Sequence, residues 1–362
     1  MKLLLTADAV GGVWQYATDL ARGLQAHGVE VAIALLGPPP SAKQREAARD
    51  LTLIETGLPL DWLAESPDEV RAAGEALAAL AEARQVDLVQ LNTPALAAGA
   101  TFEAPVVAVS HSCLLTWWEA VMDGPLPDDF AWRVALHADG LQAADLVVTP
   151  TSAFGEATRR AYRLPVSPHF VHNGRAPLVL PEVAPQDFAF TAGRLWDKGK
   201  NLATIDRAAA GLPVPLYAAG PESGPNGDRI EFRHALPLGA LSEGELARQL
   251  AARPVFVSAA MYEPFGLAVL EAAAAGCPLV LSDVPTFREL WDGAATFVDP
   301  LDHAGFAAAI SCIVGDDLAR AEWGRKAQER ATRYSAKAMA ATMLEAYRRL
   351  LGASGAQARA AA

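Results

Sequence analysis

Two carboxylates in the run MYEPFGLAVLEAAAAG, residues 261–276, occupy the setting that most suggests chemistry. Glu263 precedes a Pro-Phe-Gly turn, and Glu271 follows eight residues later among Ala, Val and Leu. The turn should lead into a helix from about residue 265. The free N–H groups of Phe265, Gly266 and Leu267 would then point out of the helix start, towards an anion, while Pro264 donates nothing. Glu271 lies about 7.5 Å further along the axis than Gly266, at a rise of about 1.5 Å per residue. Its neighbours three and four positions away are Leu267, Ala268, Ala274 and Ala275, an apolar face that should partly bury it. A buried carboxylate without a partner is costly. Two arrangements relieve that cost: vicinal hydroxyls of a bound sugar, or an ion pair with an arginine such as Arg288. The residue pattern by itself leaves both open.

Two further stretches carry chemistry. AGRLWDKGKN, residues 192–201, places Arg194, Lys198 and Lys200 in a loop after an apolar strand. Cations at the carboxyl end of a sheet form a diphosphate clamp; the alternative is a solvated loop with ordinary charges. DAVGGVW puts Gly11 and Gly12 between a strand and a helix. Glycine there lets backbone N–H groups approach a phosphate, or it serves only a tight turn. The stretch is not a GxGxxG fingerprint, and the second strand ends in LLGPPP with no acid to read a ribose. Both features disfavour a nicotinamide dehydrogenase.

The elements that must position these residues repeat along the chain. KLLLTA reads as a buried strand, the glycine turn follows, then an amphipathic helix capped near Gly28, then the strand VEVAIALL. The apolar runs LTLIET, VDLVQL, APVVAVS, ADLVVT and PHFVHN recur with helices between them, which predicts βαβ units and a parallel sheet. GRAPLVLPEVAPQD, residues 174–187, carries Pro177, Pro181 and Pro185 and reads as a linker. The pattern then restarts with FAFTAG, PLYAAGP, PVFVSAA, CPLVLSD and ATFVDP. The expected division is a domain over 1–176 and a second over 177–334. A last helix over 335–352, starting at the N-cap Ser335, should pack back on the first, and a flexible tail is expected over 353–362.

Bulk properties narrow the class. A chain of 362 residues suits two domains of about 150–180 residues each. It is 52% hydrophobic and 20% charged, which predicts a folded soluble protein. A net charge of −12 argues against a nucleic-acid partner and limits any membrane contact to a peripheral one. The local exception is RRAYR, with Arg159, Arg160 and Arg163, either a solvated helix face or a basic patch. Three cysteines without CxxC spacing predict neither a disulfide framework nor a zinc site and fit a reducing cytoplasm. The N-terminus lacks a signal-peptide pattern, and no apolar window predicts a membrane span.

The run YEPFGLAVLEAAAAGCPLVLSDVPTFREL resembles the signature of retaining glycosyltransferases of family 4. The resemblance extends through the Gly-Gly loop, VSHS, VHNGR, AGRLWDKGKN and AAGP. It implies the α/β GT-B fold, two facing Rossmann-like domains with a cleft between them. It implies a donor that is a nucleoside-diphosphate sugar, a saccharide or lipid-linked acceptor, and neither a cofactor nor a bound metal. Glu263 would bind the donor sugar, Glu271 the nucleotide ribose, and Phe265, Gly266 and Leu267 the sugar and phosphate through their main chain. Arg194 and Lys200 would neutralise the diphosphate. Gly12 would face the donor phosphate and acceptor, and His111 would lie near the donor sugar. Lys198 falls outside the expected cation spacing, and GRA replaces the usual GVD, so Arg175 has no inherited role. Asn173 matches a position near the domain hinge. SCLLTWWEAVMDGPLPDDFAW, residues 112–132, offers Trp117, Trp118, Phe130 and Trp132 either to a core or to a saccharide acceptor. The competing readings are a non-catalytic sugar-nucleotide-binding protein and another GT-B enzyme such as a sugar-nucleotide epimerase.

Overall fold

The computed structural model describes residues 1–224 and 227–361, with side chains through residue 353. Its strands are β1 (Lys2–Asp8), β2 (Glu30–Leu36), β3 (Thr52–Glu55), β4 (Leu88–Leu91), β5 (Val106–Val109), β6 (Leu146–Thr149), β7 (His169–Phe170), β8 (Ala189–Ala192), β9 (Leu216–Ala219), β10 (Leu236–Gly239), β11 (Val255–Ser258), β12 (Leu279–Ser282) and β13 (Thr296–Val298). Among the described residues they form two sheets, ordered β3-β2-β1-β4-β5-β6-β7 and β10-β9-β8-β11-β12-β13. Every strand pairing in both sheets is parallel. Each sheet therefore starts in its middle and reverses direction once, between β1 and β4 in the first and between β8 and β11 in the second. Loops leaving the carboxyl ends at such a reversal part from each other and leave a crevice, the usual ligand position in open α/β sheets. All three stretches singled out in the sequence lie there: the Gly-Gly loop follows β1, the cationic loop follows β8, and Glu263 follows β11.

The chain divides into two compact units. The first holds Met1–Glu119, Asp123–Gly174 and the helix from Ala336; the second holds Arg175–Ser335 with Ala120–Met122. In the first unit the helix Gly12–Gln25 and the last helix share one face of the sheet. Leu20, Leu24, Met339, Met343 and Tyr347 are all buried in that layer. Gly23 makes the approach possible, since a Cβ there would come within 2.4 Å of the Ala340 Cβ. The opposite face buries Leu77, Leu96 and Leu136 against Leu4, Val89 and Leu91. The second unit repeats this build, with Phe190, Phe256 and Leu281 covered on one face and Val255, Val257 and Val280 on the other. Strands buried on both faces explain why these runs read as continuous apolar stretches instead of alternating ones. The last helix continues to Ala361 where a tail was expected from residue 353; Ala362 lies outside the described residues.

Candidate functional site

In the second unit the cationic loop is locked from within. Asp197, which is buried, caps the 3-10 turn Lys198–Lys200 by accepting from the Gly199 N–H at 2.9 Å. Its other oxygen takes the Arg194 guanidinium at 2.9 Å, and that guanidinium lies 5.7 Å from the centre of the Trp196 ring. The Gly199 carbonyl accepts from the Met261 N–H at 2.9 Å, so this loop and the one after β11 are fastened together. Asn201 adds a second tie, donating from Nδ2 to the Ala259 carbonyl at 3.1 Å and to the Pro300 carbonyl at 2.6 Å. Neither Asp197 nor Asn201 was given a role from sequence, although both belong to the motif AGRLWDKGKN.

Lys200 reaches across the joined loops, and its Nζ donates to Glu263 Oε2. Both side chains are largely enclosed, with 21% and 15% of their area exposed. Glu263 is held from behind, because the Thr286 hydroxyl donates to its carbonyl at 2.7 Å. Lys198 points elsewhere, its Nζ lying 3.9 Å from Asp228. The two lysines thus take different carboxylate partners.

The helix after the Pro-Phe-Gly turn spans Leu267–Ala274 and starts two residues later than the sequence pattern predicts. The reason is Gly266, its N-cap, which takes φ +89°. That left-handed conformation suits glycine. A Cβ at Gly266 would meet the Phe287 ring at 3.1 Å and Glu263 Cγ at 3.3 Å. Phe265 precedes the cap and is buried edge-on against Tyr334, centroids 5.8 Å apart, so its ring belongs to the core.

Glu271 has an arginine partner, and it is not Arg288. The Nε and Nη2 of Arg175 both lie 2.9 Å from Glu271 Oε1. Arg288 instead engages Asp283 at 2.6 Å and Asp292 at 3.3 Å on the surface. Its guanidinium holds the Asp283 carboxyl below the usual carboxylate range. The local pattern could not find Arg175, which is 96 residues away in sequence.

In the first unit the Gly-Gly loop is shaped by Asp8, whose Oδ1 accepts from the N–H groups of Val10 at 2.8 Å and Gly11 at 3.2 Å. The Gly11 N–H is therefore engaged within the loop, the arrangement of a tight turn. A Cβ on Gly11 would still meet nothing within 4 Å, so the loop faces open space. Gly12 begins the helix behind it. His111 lies past the end of β5, edge-on to Tyr16 of that helix with ring centres 4.4 Å apart.

His111 belongs to a buried polar network the sequence analysis missed. Its Nε2 is 3.2 Å from Asn92 Oδ1, which also accepts from Gln90 Nε2 at 2.9 Å. Tyr347 donates to Gln90 Oε1, and Gln90 Nε2 lies 3.3 Å from the Tyr16 hydroxyl. Asn92 is oriented by Thr6, whose hydroxyl accepts from the Asn92 N–H at 2.8 Å. A carbonyl oxygen can only accept, which assigns the imidazole proton to Nε2 and leaves Nδ1 as an acceptor. Burial pushes the His111 pKa down to about 4, so the ring is neutral at physiological pH. The available signal was a glutamine and an asparagine in the strand run VDLVQLN, where a buried position needs a partner for each polar group.

Among the four aromatics after His111, Trp132 packs against the first unit's core, while Trp117, Trp118 and Phe130 are partly exposed. Arg159 pairs with Glu156 at 2.7 Å, and Arg160 and Arg163 line a shallow surface groove with Glu119.

Two units with the same doubly wound parallel sheet, a glycine loop at one reversal and paired acids and cations at the other, define a GT-B glycosyltransferase. The chain belongs to that family. Residues 10–176 match Glycosyltransferase Family 4 and residues 233–330 match Glycosyl transferases group 1. The chain is 25% identical over 400 residues to the phosphatidyl-myo-inositol mannosyltransferase of Mycolicibacterium smegmatis, covering 95% of this chain and 94% of that one. A shorter match to glycogen synthase of Mycobacterium tuberculosis is 40% identical over 97 residues, 26% of this chain and 23% of the relative. The fold is similar to that of sucrose-phosphate synthase from Thermosynechococcus elongatus, with a TM-score of 0.80, 22% identity and coverage of 98% and 100% of the two chains. It is also similar to Anabaena HepE, solved in complex with UDP and glucose, with a TM-score of 0.70, 17% identity and coverage of 96% and 99%.

Proposed function

We propose that this protein is a retaining glycosyltransferase that moves a hexosyl group from a nucleoside-diphosphate sugar to a saccharide, lipid-linked or small-molecule acceptor. The observation that carries this reading is the Lys200–Glu263 pair across the fastened loops, one of which also carries Arg194 paired to Asp197. A diphosphate entering there competes for both cations, and the sugar hydroxyls compete for the carboxylate that Lys200 releases. Glu263 then binds the donor sugar and Glu271 the ribose, while Leu267 and Gly266 offer main-chain groups at the helix start. In the first unit His111, neutral and with Nδ1 as acceptor, can take a hydroxyl without adding charge.

In the reaction the bond from the anomeric carbon to the diphosphate oxygen breaks and the acceptor oxygen bonds to that carbon from the same face. The acceptor proton passes to the departing phosphate oxygen. Arg194 and Lys200 stabilise the charge that grows on the diphosphate, which is the main catalytic contribution. Cationic side chains supply that stabilisation without a bound metal. The mannosyltransferase relative makes a nucleoside-diphosphate mannose a natural first donor to test. Three cysteines, each without a disulfide, support a cytoplasmic site of action. Among the described residues, no helix is long and apolar enough to cross a membrane.

The test is donor turnover by the purified protein with UDP-, GDP- and ADP-sugars, with EDTA present, read by nucleoside diphosphate release and by the anomeric configuration of the product. Release insensitive to EDTA, with the donor's configuration kept, is expected. Inverted product would overturn retention. Calorimetric binding of a nucleoside diphosphate, with no turnover across a broad acceptor panel, would leave a binding protein instead of an enzyme.

A further inference from the structure

Arg175 is the first residue of the second unit, and its backbone is pinned to the last residues of that unit. Its N–H donates to the Tyr334 carbonyl at 3.2 Å, and it bridges Ser335 in parallel fashion. From that anchor its guanidinium meets Glu271 Oε1 twice at 2.9 Å, with 13% and 14% of the two side chains exposed. Glu271 is the one charged residue of its helix, LAVLEAAA, where Val269, Leu270, Ala272 and Ala273 are buried. The terminal torsion of a glutamate is broad and does not by itself fix the carboxylate plane. A guanidinium held at its own backbone does fix it. A carboxylate has about four lone-pair sites over its two oxygens, and the two arginine N–H groups converge on Oε1 alone.

We propose that Arg175 is a positioning residue for the nucleotide. It holds the Glu271 carboxylate in the orientation that reads vicinal ribose hydroxyls, and so sets the preference for ribonucleotides over deoxynucleotides. The proposal rests on the reading of Glu271 as the ribose ligand. Where the related pattern carries Val in GVD, this chain carries a cation, so its ribose-reading acid is supported by a partner that the pattern does not supply.

The experiment is titration calorimetry of the full chain with UDP, GDP and ADP, with the 2′,3′-dideoxy form of whichever binds, and with inorganic pyrophosphate. Wild type should favour the ribonucleotide by about tenfold, the worth of roughly one charged hydrogen bond lost. R175M should reduce that ratio to about one to threefold while its pyrophosphate affinity stays within about twofold of wild type, because the diphosphate cations are untouched. R175K should restore part of the ratio, and thermal melting confirms that each variant is folded. An undiminished ratio in R175M, or equal losses for ribonucleotide, dideoxynucleotide and pyrophosphate, overturns the proposal and leaves Arg175 a structural ion pair. If R175M does not fold, the ratio in R175K and R175Q decides by the same criteria. E271Q separates the underlying reading: an undiminished ratio there removes Glu271 from the ribose and the proposal with it. Loss of the ratio in E271Q with retention in R175M overturns the role of Arg175 alone.

Discussion

The two units share a sheet topology, and each treats the crevice at its own sheet reversal in an opposite way. At the reversal of the first sheet the buried side-chain network is uncharged: Gln90, Asn92, Tyr16, Tyr347 and a neutral His111 satisfy one another. At the reversal of the second the groups are ions, arranged as Lys200–Glu263, Arg194–Asp197 and Arg175–Glu271. A neutral network can be sealed in a core at little cost once every donor has an acceptor. Partly enclosed ions hold each other in place, yet a ligand that brings its own charge can replace a partner. The first unit thus provides a fixed polar surface, and the second provides paired charges that can exchange partners.

The largest effect that tests this contrast is loss of a cation from the second crevice. Lys200→Ala should lower kcat by about 10²–10³-fold, the range seen when one donor to a developing anion is removed. Steady-state kinetics checks it, and a kcat within threefold of wild type would put the diphosphate elsewhere.

The neutral side of the contrast is tested by pH. His111 and His137 are both held near pKa 4 by burial, against about 6.5 in an unfolded chain. Below pH 6.5 the unfolded chain takes up protons that the folded one refuses. The stabilisation is therefore full above pH 6.5, is lost as pH falls towards 4, and changes no further below that. The loss is on the order of 2–3 kcal/mol for each ring. Denaturant melts across this window should show the decline, and His137→Asn should flatten part of it. An identical slope in the variant would mean that the ring takes up its proton equally in the folded and unfolded chain.

Backbone geometry shapes the charged side as well. Gly266→Ala places a Cβ at φ +89° against Phe287 and Glu263. The conformation alone costs about 1–2 kcal/mol, and the displaced Glu263 should raise KM for the donor. Unchanged melting and KM would show that this turn does not set the position of Glu263.

The smallest effect is the control. Arg288 pairs with Asp283 with 45% and 46% of the two side chains exposed. Arg288→Ala should cost less than about 1 kcal/mol and leave kcat alone, as exposed pairs do. A large loss of turnover would extend the working charges beyond the crevice.

Much of the architecture was legible because buried parallel strands must be apolar throughout. KLLLTA, VEVAIALL, FAFTAG and CPLVLSD announce themselves by that run, and the glycines and Pro264 mark where the chain turns. The paired acids were visible because an ionised side chain in an apolar helix needs a reason. The helix start was misjudged by two residues, since a left-handed cap at Gly266 depends on what packs around it, here Phe287 and Val269. The polar network was missed because Gln90, Asn92 and Tyr347 look like ordinary surface types until their strands and helix are assembled.

By itself, then, the order of residues determined the two-fold repetition of βαβ units, the loops at the strand ends and the candidate acids and cations. All of these follow from burial and backbone preference acting over a few residues. Tertiary structure alone decided who pairs with whom. It gave Glu271 to Arg175 over Arg288, Lys200 instead of Lys198 to Glu263, and His111 its neutral state beside Asn92. Partners 19 to 96 residues apart are chosen by where the sheets bring the chain back, and no local pattern encodes that return.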